Sequence, residues 1–310
     1  MRVLITGVHG QDASILAERH LALNHEVWGT SRVTGPKLKC RLIPSNILEL
    51  KGRSGEVLDE IAPDRVYHLA AQHSSSTMNN QTTEEDRLSM YLCHVQITRN
   101  ILAWQVNHPK TRSLVALSSQ MYTPISSETQ IDESSECNPS NYYGLTKVEA
   151  LNNIRRFRES LGVHCKSAIL FNHTSTRSKP DFLFPTIARQ IVKVLNKETT
   201  KIYLANPKAR VDMTHAKEIC EGLFKFMEYE KPIELIFSSG RLSTIHEVIR
   251  ETFLLLKFTG TYEIIALENS KPGGFFLKGN PSMAKQVIGW KPQLTPPQIL
   301  LEQVLNRIDT

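Results

Sequence analysis

The chain has 310 residues, enough for a large domain carrying a smaller one, and its 40% hydrophobic, 22% charged and 7% aromatic composition argues against disordered, collagenous and membrane-bound classes. Its net charge of +6 is spread along the chain without a cationic block, which argues against nucleic acid and suits an enzyme whose ligands carry several phosphates. Five scattered cysteines lack a C-x-x-C pair, no run reaches about 18 apolar residues, and the N-terminal segment lacks a signal core; we therefore expect no disulfide framework, no metal, no membrane contact and a cytoplasmic location.

The first element, "RVLITG" (2–7), reads as a buried strand, and a helical stretch covers about 11–24. Between them, "TGVHGQDA" (6–13) has the form of a phosphate-binding turn. Gly7 allows the tight turn, Gly10 lets backbone approach a pyrophosphate, and the helix N-terminus offers free N–H groups and a positive dipole end. Ala13 stands where a third glycine is usual. "HEVWGTSR" (25–32) is a second strand. NAD-preferring sites place an acid at its end; here Thr30, Ser31 and Arg32 stand there, and Arg32 can grip a 2′-phosphate with paired donors, so NADP is expected.

"CRLIPS" reads as a short third strand, "GEVLDEIA" as helix, and "DRVYHLAA" (64–71) as a fourth strand. The small residues Ala70 and Ala71 let a flat cofactor lie close to the backbone. A helix at about 85–107, a fifth strand at 113–119, a helix at 143–161 and a sixth strand at 164–171 complete an alternating series. That alternation implies right-handed βαβ units: an α/β fold with a doubly wound parallel sheet, its ligands at the carboxyl ends of the strands. Beyond 172, Pro and Gly become frequent and helices at about 184–197 and 215–228 are separated by short strands. The expected division is a Rossmann domain of residues 1–172 and about 212–238, with a smaller substrate-binding lobe of 173–211 and 239–310.

"NYYGLTK" (141–147) carries the chemistry. Tyr143 and Lys147 are four apart and share a helix face, whereas Tyr142 lacks this relation. A phenol ionises near pH 10, and a neighbouring ammonium together with the positive nicotinamide stabilises its phenolate. Tyr143 is therefore a candidate acid/base for a sugar or alcohol hydroxyl. "SSQMY" ends the preceding strand, and Ser118 or Ser119 can bond the same substrate oxygen. The histidines near the cofactor loops (His9, His68, His73) have no metal-ligand spacing, and Trp28 and Trp290 read as packing residues.

On these residues the chain resembles the extended short-chain dehydrogenase/reductases that act on nucleotide sugars, within them the GDP-mannose 4,6-dehydratases and the related GDP-4-keto-6-deoxymannose reductases. "GQD" (10–12) and "ILFNH" (169–173) look like the dehydratases, "GTSR" (29–32) fits the reductases, and "THAKEI" (214–219) and "GNPSMAKQVIGWKPQL" (279–294) match either. The resemblance implies Ser118, Tyr143 and Lys147 as the catalytic set, with Ser119 and Gln120 beside them. It implies cofactor contacts from Gly7, Gly10, Gln11, Asp12, Arg32, Asn46, Leu69, Ala70, Ala71, Tyr143, Lys147 and His173, and substrate contacts from Gln72, Asn172, Arg177 and Arg210. A GDP-hexose substrate and a homo-oligomer are implied as well.

Several positions depart from that pattern. Gln120 stands where the dehydratases carry a glutamate base, and an amide cannot remove a proton. Val211-Asp212 replaces an Arg-Asp pair, with Arg210 displaced by one. Lys271-Pro272-Gly273-Gly274 loses a bidentate cation and an acid, and His94 stands where Asn or Asp is common. A polar insert, "SSSTMNNQTTEED" (74–86), lengthens the chain near the site. A 4,6-dehydratase-like reaction, a single-step reductase or epimerase, and a non-catalytic NADP-binding sensor are the three readings left open.

Overall fold

The computed structural model describes residues 1–32, 38–44, 46–50, 52–72, 82–124, 129–231, 233–267 and 276–308. His73, residues 74–81 of the polar insert and Lys271–Gly274 lie outside the described residues. Six strands follow the expected series: β1 (Arg2–Thr6), β2 (Glu26–Ser31), β3 (Arg41–Pro44), β4 (Arg65–His68), β5 (Arg112–Ser118) and β6 (Cys165–Leu170). A seventh, Glu234–Phe237, joins β6, and the sheet runs in the order Glu234–Phe237, β6, β5, β4, β1, β2, β3, with every pairing parallel. Strands covered on both faces read as continuous apolar runs, as in "RVLIT"; β6 (CKSAIL) is likewise buried at all six residues, although two of them, Lys166 and Ser167, are polar.

The strand order reverses between β1 and β4, which opens a crevice at their carboxyl ends, where doubly wound sheets bind ligands. The Gln11–Ala22 helix packs against the Ala216–Glu228 helix on one face of the sheet. That face holds a core of Ile5, Leu16, Tyr67, Leu114, Leu223, Phe226 and Phe237. On the other face the Tyr142–Leu161 helix supplies Ala150, Leu151 and Ile154 to a second core with Val115, Leu117 and Ile169.

Together with Met213, from the segment read as returning to the Rossmann domain, a separate apolar cluster joins Ile187, Ile191, Ile202, Ile249, Phe253 and Leu300, from the region read as the substrate lobe. Ala284 and Trp290 come from the same stretch of sequence but pack in the sheet core, where the Trp290 ring lies 5.0 Å from Phe237 and its Nε1 donates to the Glu218 carbonyl (2.7 Å). The helix expected at 85–107 is interrupted: Glu84–Tyr91 passes through a π turn, Leu92–Gln96, into Ile97–Gln105. Residue spacing does not reveal such a turn, because one wider hydrogen-bonded loop leaves the apolar stripe nearly intact. Trp28 is only half-buried, with the Arg41 guanidinium 5.1 Å from its ring.

Candidate active site

The glycine turn is held from three sides. Gly7 has φ +69°, and a Cβ there would lie 3.0 Å from the Ala70 Cα, so a side chain at position 7 is strained and crowded. Gly10 precedes the Gln11–Ala22 helix, and no side chain caps that end. The Thr6 hydroxyl accepts the N–H groups of Leu69 and Ala70 (3.0 Å each) and donates to His68 Nδ1 (2.8 Å). His68 Nε2 donates to the Cys93 carbonyl (3.0 Å). Burial, and then the Lys147 charge, lower the His68 pKa to about 3, so the ring is neutral and serves as a spacer between β1, β4 and the π turn.

Asp12 sits in the first turn of the helix, where a bare carboxylate would repel an incoming phosphate. It is paired: His173 Nε2 donates to Asp12 Oδ2 (2.8 Å), and His173 Nδ1 donates to the Phe171 carbonyl (2.8 Å). With both ring nitrogens donating, the ring is an imidazolium. Burial acts to lower its pKa, but the Asp12 charge and the hydrogen bonds prevail and raise it. Gln11 Oε1 accepts from Ser175 and Ser178 (3.0 and 2.5 Å), tying the same turn to the segment after β6.

At the end of β5, Ser118, Tyr143 and Lys147 come together. The Tyr143 phenol hydrogen-bonds the Ser118 side chain; burial pushes its pKa up and the Ser118 bond opposes that. Lys147 Nζ donates to the Ala116 carbonyl (2.9 Å) and lies 5.7 Å from the centre of the Tyr143 ring. Burial lowers its pKa to about 8, so near neutrality the ammonium is held in reach of the phenol. Tyr142 projects from another side of the helix, with Arg87 5.7 Å from its ring. Ser119 is buried, and Ser118 caps the short turn that follows, its Oγ accepting the Gln120 N–H (3.2 Å). Gln120 is exposed, and its Oε1 accepts from Asn141 (3.1 Å).

Three positions not singled out in the sequence hold this group. Asn141 Oδ1 accepts the Gly144 N–H (2.8 Å) and caps the helix. Gly144 is required by contact: a Cβ there would lie 2.1 Å from the Gln120 carbonyl oxygen. Thr146 links to His94, which is buried in the π turn. The Gln72 N–H donates to His94 Nε2 (3.1 Å), His94 Nδ1 donates to the Thr146 hydroxyl (2.8 Å), and that hydroxyl donates to the Tyr143 carbonyl (2.8 Å). The His94 ring also meets the Tyr143 ring edge to face at 5.1 Å. "SNYYG" carries a readable cap signal, whereas nothing in the sequence reports the approach at Gly144.

The remaining candidates sit on several elements. Arg32 follows β2, pairs with Glu49 and donates to Ser89 Oγ (3.2 Å). Asn46 is exposed just before the Ile47–Glu49 turn. Leu69, Ala70, Ala71 and Gln72 continue from β4 and are half-buried; Asn172 is exposed after β6. Arg177 is held against the Gln11–Ala22 helix by Ser14 (3.1 Å) and Glu18 (2.8 Å). Arg210 covers the Phe276 ring at 4.5 Å. Asp212 is fully buried and accepts the N–H groups of Ser239, Gly240 and Gly279 and the Ser239 hydroxyl, as a clamp between loops. Among the described residues no helix is long and apolar enough to cross a membrane.

Comparison with known proteins identifies the family. The family model described as GDP-mannose 4,6 dehydratase matches residues 4–303. GDP-mannose 4,6 dehydratase 2 of Caenorhabditis elegans is 26% identical over 98% of this chain and 88% of its own length. GDP-mannose 4,6-dehydratase of Vibrio cholerae is also 26% identical, over 98% of this chain and 93% of its own. In fold, the chain is similar to dTDP-glucose 4,6-dehydratase from Bacillus anthracis in complex with NAD, with TM-score 0.81, 15% identity, and 100% and 97% of the two chains covered. UDP-glucuronic acid 4-epimerase from Bacillus cereus in complex with UDP-glucuronic acid and NAD gives TM-score 0.78 at 18% identity, with 99% and 100% covered. The family model spans nearly the whole chain, and the protein belongs to the GDP-mannose 4,6-dehydratase family of nucleotide-sugar enzymes.

Proposed function

We propose that this enzyme binds NADP and a GDP-hexose, oxidises the sugar at C4 through Tyr143, Ser118 and Lys147, and proceeds as a GDP-mannose 4,6-dehydratase. The observation that carries this reading is the Ser118–Tyr143–Lys147 group at the end of β5, in a sheet whose first turn is built from Gly7 and Gly10. The residues fit a dinucleotide: the crowded Gly7, the uncapped helix start at Gly10 and the neutralised Asp12 together leave backbone N–H groups for a pyrophosphate. Fold neighbours crystallised with NAD support a nicotinamide dinucleotide, and Arg32 supports its 2′-phosphorylated form.

A nicotinamide held by the Gly7–Gly10 turn and Lys147 would supply the acceptor for the C4 hydride. Tyr143 takes the proton of the C4 hydroxyl, the Ser118 hydroxyl bonds the same oxygen, and the Lys147 ammonium lowers the cost of the phenolate. The product of that step is a 4-keto sugar, whose C5 proton is acidic. Dehydration then needs a base for C5 and an acid for the C6 hydroxyl.

Gln120 favours a second reading. It stands at the position of the dehydratase base, carries an amide, and its oxygen is already engaged by Asn141. A reductase needs a single hydride transfer to C4, and a C4 epimerase needs hydride removed from C4 and returned to its other face; neither needs such a base. We also infer a homo-oligomer, as the resemblance implies; Leu88 (58% exposed) and Leu145 (51% exposed) each stand in solvent on the Glu84–Tyr91 and Tyr142–Leu161 helices.

The test is incubation of the purified protein with NADP+ and GDP-mannose, followed by mass spectrometry of the nucleotide sugar. Loss of one water mass establishes dehydration and assigns the base role to a group other than Gln120. An unchanged sugar rejects dehydration, and turnover of NADPH with a 4-keto-6-deoxy nucleotide sugar then identifies the reductase. Tyr143→Phe is expected to lower turnover by about 10²–10⁴-fold in either reaction; unchanged turnover would remove Tyr143 from the acid/base role, whereas a protein that binds NADP but turns over neither substrate, with or without Tyr143, would be the sensor.

A further inference from the structure

The end of β2 is where this fold reads the adenosine ribose, and an acid there selects the unphosphorylated diol. β2 carries no acid at its end, and its hydroxyls are already committed. Thr30 Oγ1 accepts the Gly7 N–H (3.2 Å), the Thr30 carbonyl accepts the Val8 N–H (2.8 Å), and Ser31 Oγ bonds His9 Nδ1 (3.0 Å). Thr30 and Ser31 thus support the glycine turn rather than the ribose.

An acid nevertheless reaches the spot from the neighbouring strand. β3 pairs with β2 (Thr30 opposite Ile43, Ser31 opposite Pro44), and the turn that follows it delivers Glu49 onto the Arg32 guanidinium. The turn is fixed in place: Leu48 is fully buried, and its carbonyl accepts from Asn100 (2.8 Å). The Glu49 side chain is 11% exposed and that of Arg32 42%. The Arg32 end of the pair lies in solvent, which screens it, so the arrangement matters less for stability than for what it does to a ligand.

We propose that Glu49 is a specificity-determining residue for the dinucleotide, a role that deepens the cofactor reading above and rests on it. Its carboxylate accepts the ribose hydroxyls of NAD and repels a 2′-phosphate. A 2′-phosphate recruits Arg32 only by breaking the Arg32–Glu49 pair. The two side chains therefore oppose one another: Arg32 favours NADP, and Glu49 moderates that preference.

Binding of NADPH and of NADH to the full chain, followed by nicotinamide fluorescence, tests this without any turnover. Glu49→Gln keeps the size and hydrogen bonding of the side chain and removes its charge. It is expected to tighten NADPH and weaken NADH, moving the ratio of the two Kd values about tenfold, or 1.4 kcal/mol. Arg32→Ala is expected to move the ratio about as far the other way, toward NADH. If both dinucleotides bind and Glu49→Gln leaves their ratio unchanged, the role of Glu49 is overturned while the cofactor reading stands. If the unaltered protein binds neither, the cofactor reading falls and takes this inference with it. Should Glu49→Gln bind neither, Glu49→Ala decides: a ratio moved toward NADPH supports the opposition, and an unchanged ratio overturns it.

Discussion

Asp12 and His173 are 161 positions apart in the chain, yet they act as one group at the mouth of the phosphate-binding helix. A carboxylate in the first helical turn suits the helix dipole but opposes a phosphate, and the imidazolium cancels that opposition. The pair has a pH signature with a definite sign. His173 has a folded pKa raised above its ordinary 6.5, so its stabilisation is fully present below that value and is lost as pH rises through the folded pKa. The thermal-melt advantage of the unaltered protein over Asp12→Asn should shrink as pH rises above 6.5, and dinucleotide binding should weaken over the same interval as Asp12 regains its unbalanced charge. Asp12→Asn should flatten the binding trend; an advantage and a binding slope unchanged in these comparisons would mean that the pair does not govern them. Neither residue announced this pairing in sequence, where both read only as members of "GQD" and "FNH".

The Tyr142–Leu161 helix shows how an element brings chemistry to the sheet. Its start is capped by Asn141, its end is turned by Gly162 (φ +64°), and its first two turns hold Tyr143 and Lys147 against β5. The Ser118–Gln120 turn can approach only because position 144 has no side chain. Gly144→Ala removes a flexible residue from a helix, a change that ordinarily stabilises by about 0.5–1 kcal/mol. Here the contact with the Gln120 carbonyl reverses the sign, and we expect a loss of about 1–3 kcal/mol in denaturant unfolding. Turnover should fall further than stability accounts for, since Ser118 and Tyr143 move apart. A stabilised, fully active Gly144→Ala protein would refute the contact. The π turn at Leu92–Gln96 belongs to the same assembly, since it carries His94 to both Gln72 and Thr146.

At the scale of the whole molecule, the sheet end opposite the site contains an unusual charge. Lys166 on β6 is fully buried, its Nζ meets no acceptor among the described residues, and it lies 5.9 Å from the Phe226 ring. Burial, then the nearby Arg112 charge, lower its pKa to about 7, with Cys165, Arg65 and Glu228 also close. The unfolded chain therefore binds this proton more tightly than the folded one. The resulting destabilisation is full below about pH 7 and fades as pH rises toward the ordinary 10.5. Lys166→Met should stabilise the protein on the order of 2 kcal/mol at pH 6, and by much less at pH 10. Equal gains at the two pH values would show that packing rather than charge is responsible.

The sequence by itself determined the order and kind of the principal elements, because continuous apolar runs and helical stripes are local records of burial on two faces. It also determined the first-turn glycines and the Tyr143/Lys147 pair, whose spacing is short enough to be fixed by one turn or one helix. Tertiary structure decided the rest, because those groups converge through side chains that no local spacing relates: Arg32 with Glu49, Asp12 with His173, Gln72 with His94 and Thr146, and Gly144 with Gln120. It likewise turned Arg177 toward Ser14 and Glu18 and Arg210 onto Phe276, since a guanidinium goes to the nearest carboxylate or aromatic face that packing provides.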